Sequence, residues 1–234
     1  MKYFRTSMAA VILMAVLSGG MLLLSGCSAS EDLVQETYLF AVGTDRCTVR
    51  EALVYLVNMQ EAYTDDVGES LWSSIVSGDA AAQDTAEDLV ISRLLYIYCL
   101  DQMAQNESVT LTEEEEGLIE QAAAAYLETV TEEDAAQLGI DAEDIAEYYA
   151  HFALAEKYYD EKTADVIISQ TASSEAEQEA LLAEAKEEAI DAVYEEFIAG
   201  VQIEVDDSVL SEAAEGTDGV TTNQFFEVYN TYMQ

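Results

Sequence analysis

The sequence predicts a mainly α-helical domain whose N- and C-terminal parts are joined by a small two-stranded sheet. Three observations carry that prediction. Apolar residues recur at three- and four-residue spacing along most of the chain, which places them on single helix faces. Near the C-terminal end the period changes: Val201, Ile203 and Val205 alternate with Gln202 and Glu204, the pattern of a strand with one buried face. A strand must pair its backbone groups, and the expected partner is the short β-favouring run Tyr38–Gly43 at the other end of the protein.

The elements follow in order. Thr48-Val49-Arg50-Glu51 matches a capping box, with Thr48 at the N-cap and Glu51 at N3. The helix behind it places Ala52, Tyr55, Leu56, Met59 and Tyr63 on one face, with Gly68 at or beyond its end. Ser70–Ser77 holds the single tryptophan, Trp72, and leads into a small-residue loop. From about Thr85 to Asn106, residues such as Leu89, Val90, Ile91, Leu94 and Ile97 leave little polar face, so this helix is expected to be the most buried. Thr112–Glu115 is a second capping box, opening a helix striped by Leu118, Ile119, Ala122, Tyr126 and Val130. A short helix over Thr131–Leu138 stops at Gly139, and Asp141–Asp144 caps a long one carrying Ile145, Tyr148, Tyr149, Phe152, Ala155 and Tyr159. After a polar stretch, Leu181–Ile198 presents Ile190, Val193, Tyr194, Phe197 and Ile198 on one face. Gly200 is the expected left-handed C′ residue. Beyond Asp206 the pattern weakens to a flexible stretch and a terminal aromatic cluster, Phe225 to Tyr229, expected to dock on its own domain.

The chain has 234 residues, half of them hydrophobic, enough for one real core. Its net charge is −40, from 48 acidic and 8 basic residues. Such a surface repels phosphate backbones and excludes nucleic acid as a partner. The 14 tyrosines and long apolar stripes argue against disorder despite the acidity.

The N-terminus points to export. Lys2 and Arg5 precede an apolar run from Ala9 to Leu24 that is interrupted by Gly19 and Gly20 and ends in Leu24-Ser25-Gly26-Cys27. This is the layout of a signal peptide rather than of a membrane span. Its ending resembles a bacterial lipobox, which implies cleavage before Cys27 and diacylglyceryl attachment to its sulfur. Two acyl chains suffice for stable anchoring. Loss of residues 1–26 takes Lys2 and Arg5 but no acidic residue, so −40 becomes −42. The domain plan is therefore a leader over 1–26, a tether over 27–37, a helical domain over 38–212, and a linker with aromatic tail over 213–234. The expected location is the extracytoplasmic face of a bacterial cell membrane. Cys47 and Cys99 are expected to be separate thiols, although export would permit a disulfide.

Several of these segments, in this order and spacing, resemble the chaperone part of the PrsA-type foldase lipoproteins and their SurA-type relatives. They are the lipobox, Val42-Gly43 with Thr48–Ala52, Val109–Glu115, Leu138–Asp144, His151–Tyr158 and Ile203–Val209. In that family a helical chaperone domain is assembled from the two ends of the chain, with a parvulin prolyl isomerase inserted between them. The resemblance implies such a chaperone domain here. Between Ile168 and Leu181 lie only 12 residues, too few for the inserted catalytic unit.

No other chemistry is legible. His151 lies beside the core-facing Phe152 and is expected on a helix flank rather than as a general base. Glu113–Glu116 fits the electrostatics of a helix N-terminus, and no calcium loop can be fitted around it. Zinc spacings, phosphate loops, nucleophile elbows and HExxH are absent from the sequence, so no catalytic residue, metal or cofactor is expected. The expected function is a membrane-anchored holdase or folding helper for unfolded exported proteins, without isomerase activity. Its candidate contacts are Met59, Tyr63, Trp72, Tyr148, Tyr149 and Tyr158, side chains of the kind that line adaptable apolar surfaces. The alternatives are an envelope scaffold lipoprotein with one dedicated partner and, third, a residual prolyl isomerase.

Overall fold

Gly43 takes a left-handed backbone (φ 62°), which lets the chain reverse in two residues. The result is an antiparallel hairpin of β1 (Tyr38–Val42) and β2 (Asp45–Thr48), with one register shift between Tyr38 and Phe40. The computed structural model describes residues 37–58, 80–168, 173–217, 220, 222 and 224–233. Cys27 and its leader, Met59, Tyr63 and Trp72 lie outside these residues.

Eight α-helices are described: α1 (Val49–Val57), α2 (Ala80–Asn106), α3 (Glu113–Thr129), α4 (Glu132–Leu138), α5 (Ala142–Thr163), α6 (Glu175–Gly200), α7 (Asp207–Ala214) and α8 (Phe225–Met233). A 3-10 turn over Glu215–Thr217 follows α7. The protein is mainly α, with one small antiparallel sheet near the start of the described chain.

The hairpin corrects the expected strand pairing. The main partner of Tyr38–Val42 is its immediate neighbour β2, not Val201–Val205. The short return needs only the Gly43-Thr44 turn, so it closes with less entropy loss than a pairing across the whole chain. The distant segment still reaches the free edge of β1: Phe40 and Val205 form an isolated antiparallel bridge, and the Asp206 N–H donates to the Leu39 carbonyl at 2.9 Å. The N- and C-terminal segments are joined, but by one bridge rather than a ladder.

The caps fall where the sequence puts them. Thr112 and Glu115 close a reciprocal box at the start of α3, as do Asp141 and Asp144 at α5. Thr131 caps α4, and Gly139 ends it in the left-handed conformation (φ 67°). Two details differ. The Thr48 side chain accepts from the Glu51 N–H, but the Glu51 carboxyl turns into the core instead of back to the cap. Gly200 is the last residue of α6, and the C-cap is Val201 in an extended conformation, because the chain runs straight on towards the β1 edge.

The core surrounds α2, which packs along α5 while α3 lies against both α5 and α8. Val90, Leu94, Ile97, Cys99, Leu100 and Ala104 of α2 are fully enclosed. The α6 stripe is shallower: Ile190 is buried, and Val193, Tyr194, Phe197 and Ile198 are partly covered. Among the described residues, no helix is long and apolar enough to cross a membrane.

Candidate functional site

The C-terminal helix lies in an aromatic groove. Phe225, Phe226 and Tyr229, on one side of α8, are each no more than 1% exposed. Phe225 packs on Tyr55 of α1, Tyr126 of α3 and Tyr149 of α5, with ring centroids 5.3, 5.4 and 4.5 Å away. Phe226 sits 5.4 Å from Tyr55, and Tyr229 lies 4.7 Å from Phe152. Edge-on and tilted ring pairs of this kind add to the gain from burial alone.

A set of buried polar groups fixes the start of α8. The first amides of a helix have no intrahelical acceptor, and Gln224, which precedes α8, is not one of the good capping types. Asn58 supplies the acceptor from another element: its Oδ1 takes the Phe225 N–H at 3.2 Å. Its Nδ2 donates to the Val54 carbonyl at 2.8 Å and to the Tyr126 hydroxyl at 3.0 Å, and that hydroxyl also accepts from Thr222. Tyr149 donates to the Phe225 carbonyl at 2.7 Å. At the other end of the contact, Tyr229 donates to Glu156 at 2.9 Å, and burial pushes the Glu156 carboxyl up from its usual range.

A second polar cluster lies beneath the hairpin. Tyr98 of α2 donates to Glu51 Oε2 at 2.6 Å and stacks on the His151 ring at 4.5 Å. His151 Nδ1 meets Asp101 Oδ2 at 2.5 Å, with Glu147 4.0 Å from the other ring nitrogen. Burial raises the Glu51 carboxyl, opposed by the His151 charge and by the Tyr98 hydrogen bond. For His151, burial alone lowers basicity, but the Asp101 hydrogen bond and the charges of Glu51, Asp101 and Glu147 prevail, holding it at about 9. The imidazole is therefore a cation at neutral pH, paired with the carboxylates around it. It is a positioned core cation on α5. The nearby Cys47 thiol is held well above its usual range, first by burial and then by Glu51, which keeps it protonated at neutral pH. Cys47 and Cys99 are both buried and free.

The candidate contacts divide by position. Tyr148, Tyr149 and Tyr158 are 4%, 0% and 0% exposed. Tyr149 forms the floor of the α8 groove, Tyr158 donates to Glu107, and Tyr148 stands beside Glu51 and Asp144. None of the three offers a ring to an outside partner in this conformation, because the helical stripe that makes them look like a contact face is the stripe that builds the core. The groove residues Tyr55, Asn58, Tyr126 and Phe225 carry a weaker signal, a terminal aromatic pair and a lone Asn at the end of an apolar helix. A cleft between α2 and α7 is lined by Glu87, Asp88, Ile91, Asp207, Ser208 and Ser211, a mostly polar and acidic wall. Among the described residues, no group of three or more His, Cys, Asp or Glu side chains is arranged to hold a metal.

No family model matches the chain, and no curated protein or solved structure matches it.

Proposed function

We propose that this chain is a lipid-anchored extracytoplasmic chaperone, a holdase or folding helper for exported proteins, lacking prolyl isomerase activity. The observation that carries the reading is the closure of the domain. Its N- and C-terminal segments meet at the Phe40–Val205 bridge, while only residues 164–174 separate α5 from α6. That is the plan implied by the resemblance to the PrsA- and SurA-type chaperones, with no room for a parvulin unit in the connection. The lipobox at Cys27 and the export leader agree with work at the outer membrane face. An aromatic groove that holds a helix by three rings and a few backbone hydrogen bonds supplies the right kind of surface, since helix-in-groove binding needs apolar anchors at helical spacing.

The acidic surface contributes in two ways. It keeps client complexes soluble, and it attracts basic segments of unfolded chains. Light scattering of a reduced, unfolded secreted protein tests the proposal: a several-fold excess of the mature chain is expected to slow aggregation. No slowing would reject the chaperone reading. A proline-limited refolding reaction is expected to run at its rate in buffer, and acceleration would reject the absence of isomerase activity.

A further inference from the structure

We propose that the buried Glu51–His151 cluster is a pH-operated latch for the hairpin, closed while the cluster holds its protons and loosened as they leave with rising pH. The latch also governs the junction of the N- and C-terminal segments, because Val205 and Asp206 hook onto β1.

Four elements meet at the cluster. Glu51 of α1 and Asp101 of α2 are each 1% exposed. Asp101 is partnered at both oxygens: Gln105 donates to Oδ1 at 3.2 Å, and His151 of α5 meets Oδ2. Glu51 is served on one side alone. Tyr98 donates to its Oε2, while its Oε1 is buried and has no hydrogen-bond partner among the described residues. The Cys47 thiol of β2, a weak donor, stands beside that carboxyl. Tyr55 and Tyr148 flank Tyr98 and Glu51, and Glu147 faces the outer nitrogen of His151. The neighbouring cations are engaged elsewhere: Arg50 holds Asp144, and Arg46 lies over the Tyr38 ring.

The charges balance in one state. With Glu51 protonated and His151 a cation, Asp101 and His151 cancel. Each proton lost leaves one more negative charge without a partner in a nearly dry site. Burial raises the Glu51 carboxyl, and the surrounding carboxylates hold His151 at about 9. Both shifts run upward, so the folded cluster binds more protons than the unfolded chain. Its contribution is present at low pH and is lost as pH rises through the folded values. The groups interact, so they titrate as a unit.

The hairpin is the part that yields. A stranded buried charge is relieved by water, and water enters where the cover is thinnest. Asp101 and His151 sit on long helices packed along each other, whereas the hairpin is two short strands, marginal without its support. That support comes from the cluster itself. The Tyr98 hydroxyl is shared between Glu51 and the Arg46 carbonyl, at 3.4 Å from the latter, and its ring meets Phe40 edge-on at 5.4 Å. Gln105 bridges Asp101 to Asp45 of β2, which it reaches at 2.7 Å.

Hydrogen exchange of the mature chain from about pH 5 to about pH 9.5, corrected for the intrinsic pH dependence of amide exchange, tests the latch. Amides of β1 and β2 are expected to exchange ahead of those of α2, with protection that falls by about tenfold or more across the range. The Asp206 amide is expected to follow the hairpin. Glu51→Gln keeps the shape of the carboxyl without its charge. It is expected to shrink the fall and to bring the NMR titration of His151 down from about 9, since one of the charges holding the imidazolium is gone. Hairpin amides that exchange only together with α2, or whose protection does not change with pH, would overturn the inference. An undiminished fall in Glu51→Gln would overturn it as well. Should that variant not fold, exchange of the unmodified chain decides alone.

Discussion

Arg50 of α1 reaches both carboxylate oxygens of Asp144, at 2.8 and 2.9 Å, while Asp144 closes the capping box at the start of α5. One carboxylate therefore completes a local cap and links two helices 94 residues apart. The Arg50 side chain is only 8% exposed, so losing its partner strands a charge in a nearly dry site. Asp144→Ala is expected to lower stability by about 2–4 kcal/mol, combining the cap with the uncompensated guanidinium. Asp144→Asn should recover part of that through the retained acceptor. Urea denaturation of both variants measures the difference.

His151 is the single histidine, so its titration can be followed by NMR without assignment. Its imidazolium is expected to persist to a pKa of about 9. Asp101→Asn should bring the titration down towards or below the ordinary histidine range, since burial then acts with less opposition. Because the folded pKa is raised, the stabilisation is fully present below about pH 6.5 and is lost as pH rises through about 9. The stability of the unmodified chain, relative to His151→Gln, is expected to fall by about 3 kcal/mol across that window. A flat difference would mean that the Asp101 pair contributes nothing to folding.

The two left-handed glycines make a paired prediction. At Gly139 an added Cβ finds only Arg50 at ordinary contact distance, so Gly139→Ala is expected to cost about 1 kcal/mol from backbone strain. At Gly43 the same atom would fall 1.8 Å from Gln102 Oε1. Gly43→Ala must therefore also move the Gln102 side chain, which accepts a hydrogen bond from the Thr44 N–H at 3.4 Å. Gly43→Ala is expected to be the more destabilising of the two in thermal melts.

Asn58→Ala removes the acceptor for the Phe225 N–H and a donor to the Tyr126 hydroxyl. Leaving buried polar groups unsatisfied costs about 1–3 kcal/mol each. The expected result is a loss of about 2–4 kcal/mol, together with faster hydrogen exchange in α8 than in α2. Equal exchange in both helices would show that Asn58 stabilises the whole domain rather than the seat of α8.

Much of the architecture was legible because it rests on local chemistry. Thr112, Thr131 and Asp141 announce helix starts by their side chains, Gly139 announces a stop, and the α5 stripe from Ile145 to Tyr159 appears as a buried face. What failed depends on partners remote in sequence. β2 reads Asp-Arg-Cys-Thr, with Cys47 its only buried member, so periodicity gives it no strand signal. The glycine turn before it was the available clue. Glu51 has the position of a capping-box residue, but the Tyr98 hydroxyl, 47 residues away, draws it inward. The groove was hidden for the same reason. Tyr55, Asn58, Tyr126 and Tyr149 come from three helices, and only packing brings them around Phe225.

The central claim, that unfolded exported chains are held in the aromatic groove, is tested most directly by photocrosslinking from its floor. Tyr55 replaced by p-azidophenylalanine, a ring of similar size, lies 5.3 Å from Phe225 in the closed state. On irradiation with an excess of unfolded secreted client, crosslinks are expected to shift from α8 to aromatic segments of the client. Crosslinks that stay on α8 while the same sample suppresses aggregation would place client binding elsewhere and contradict the account.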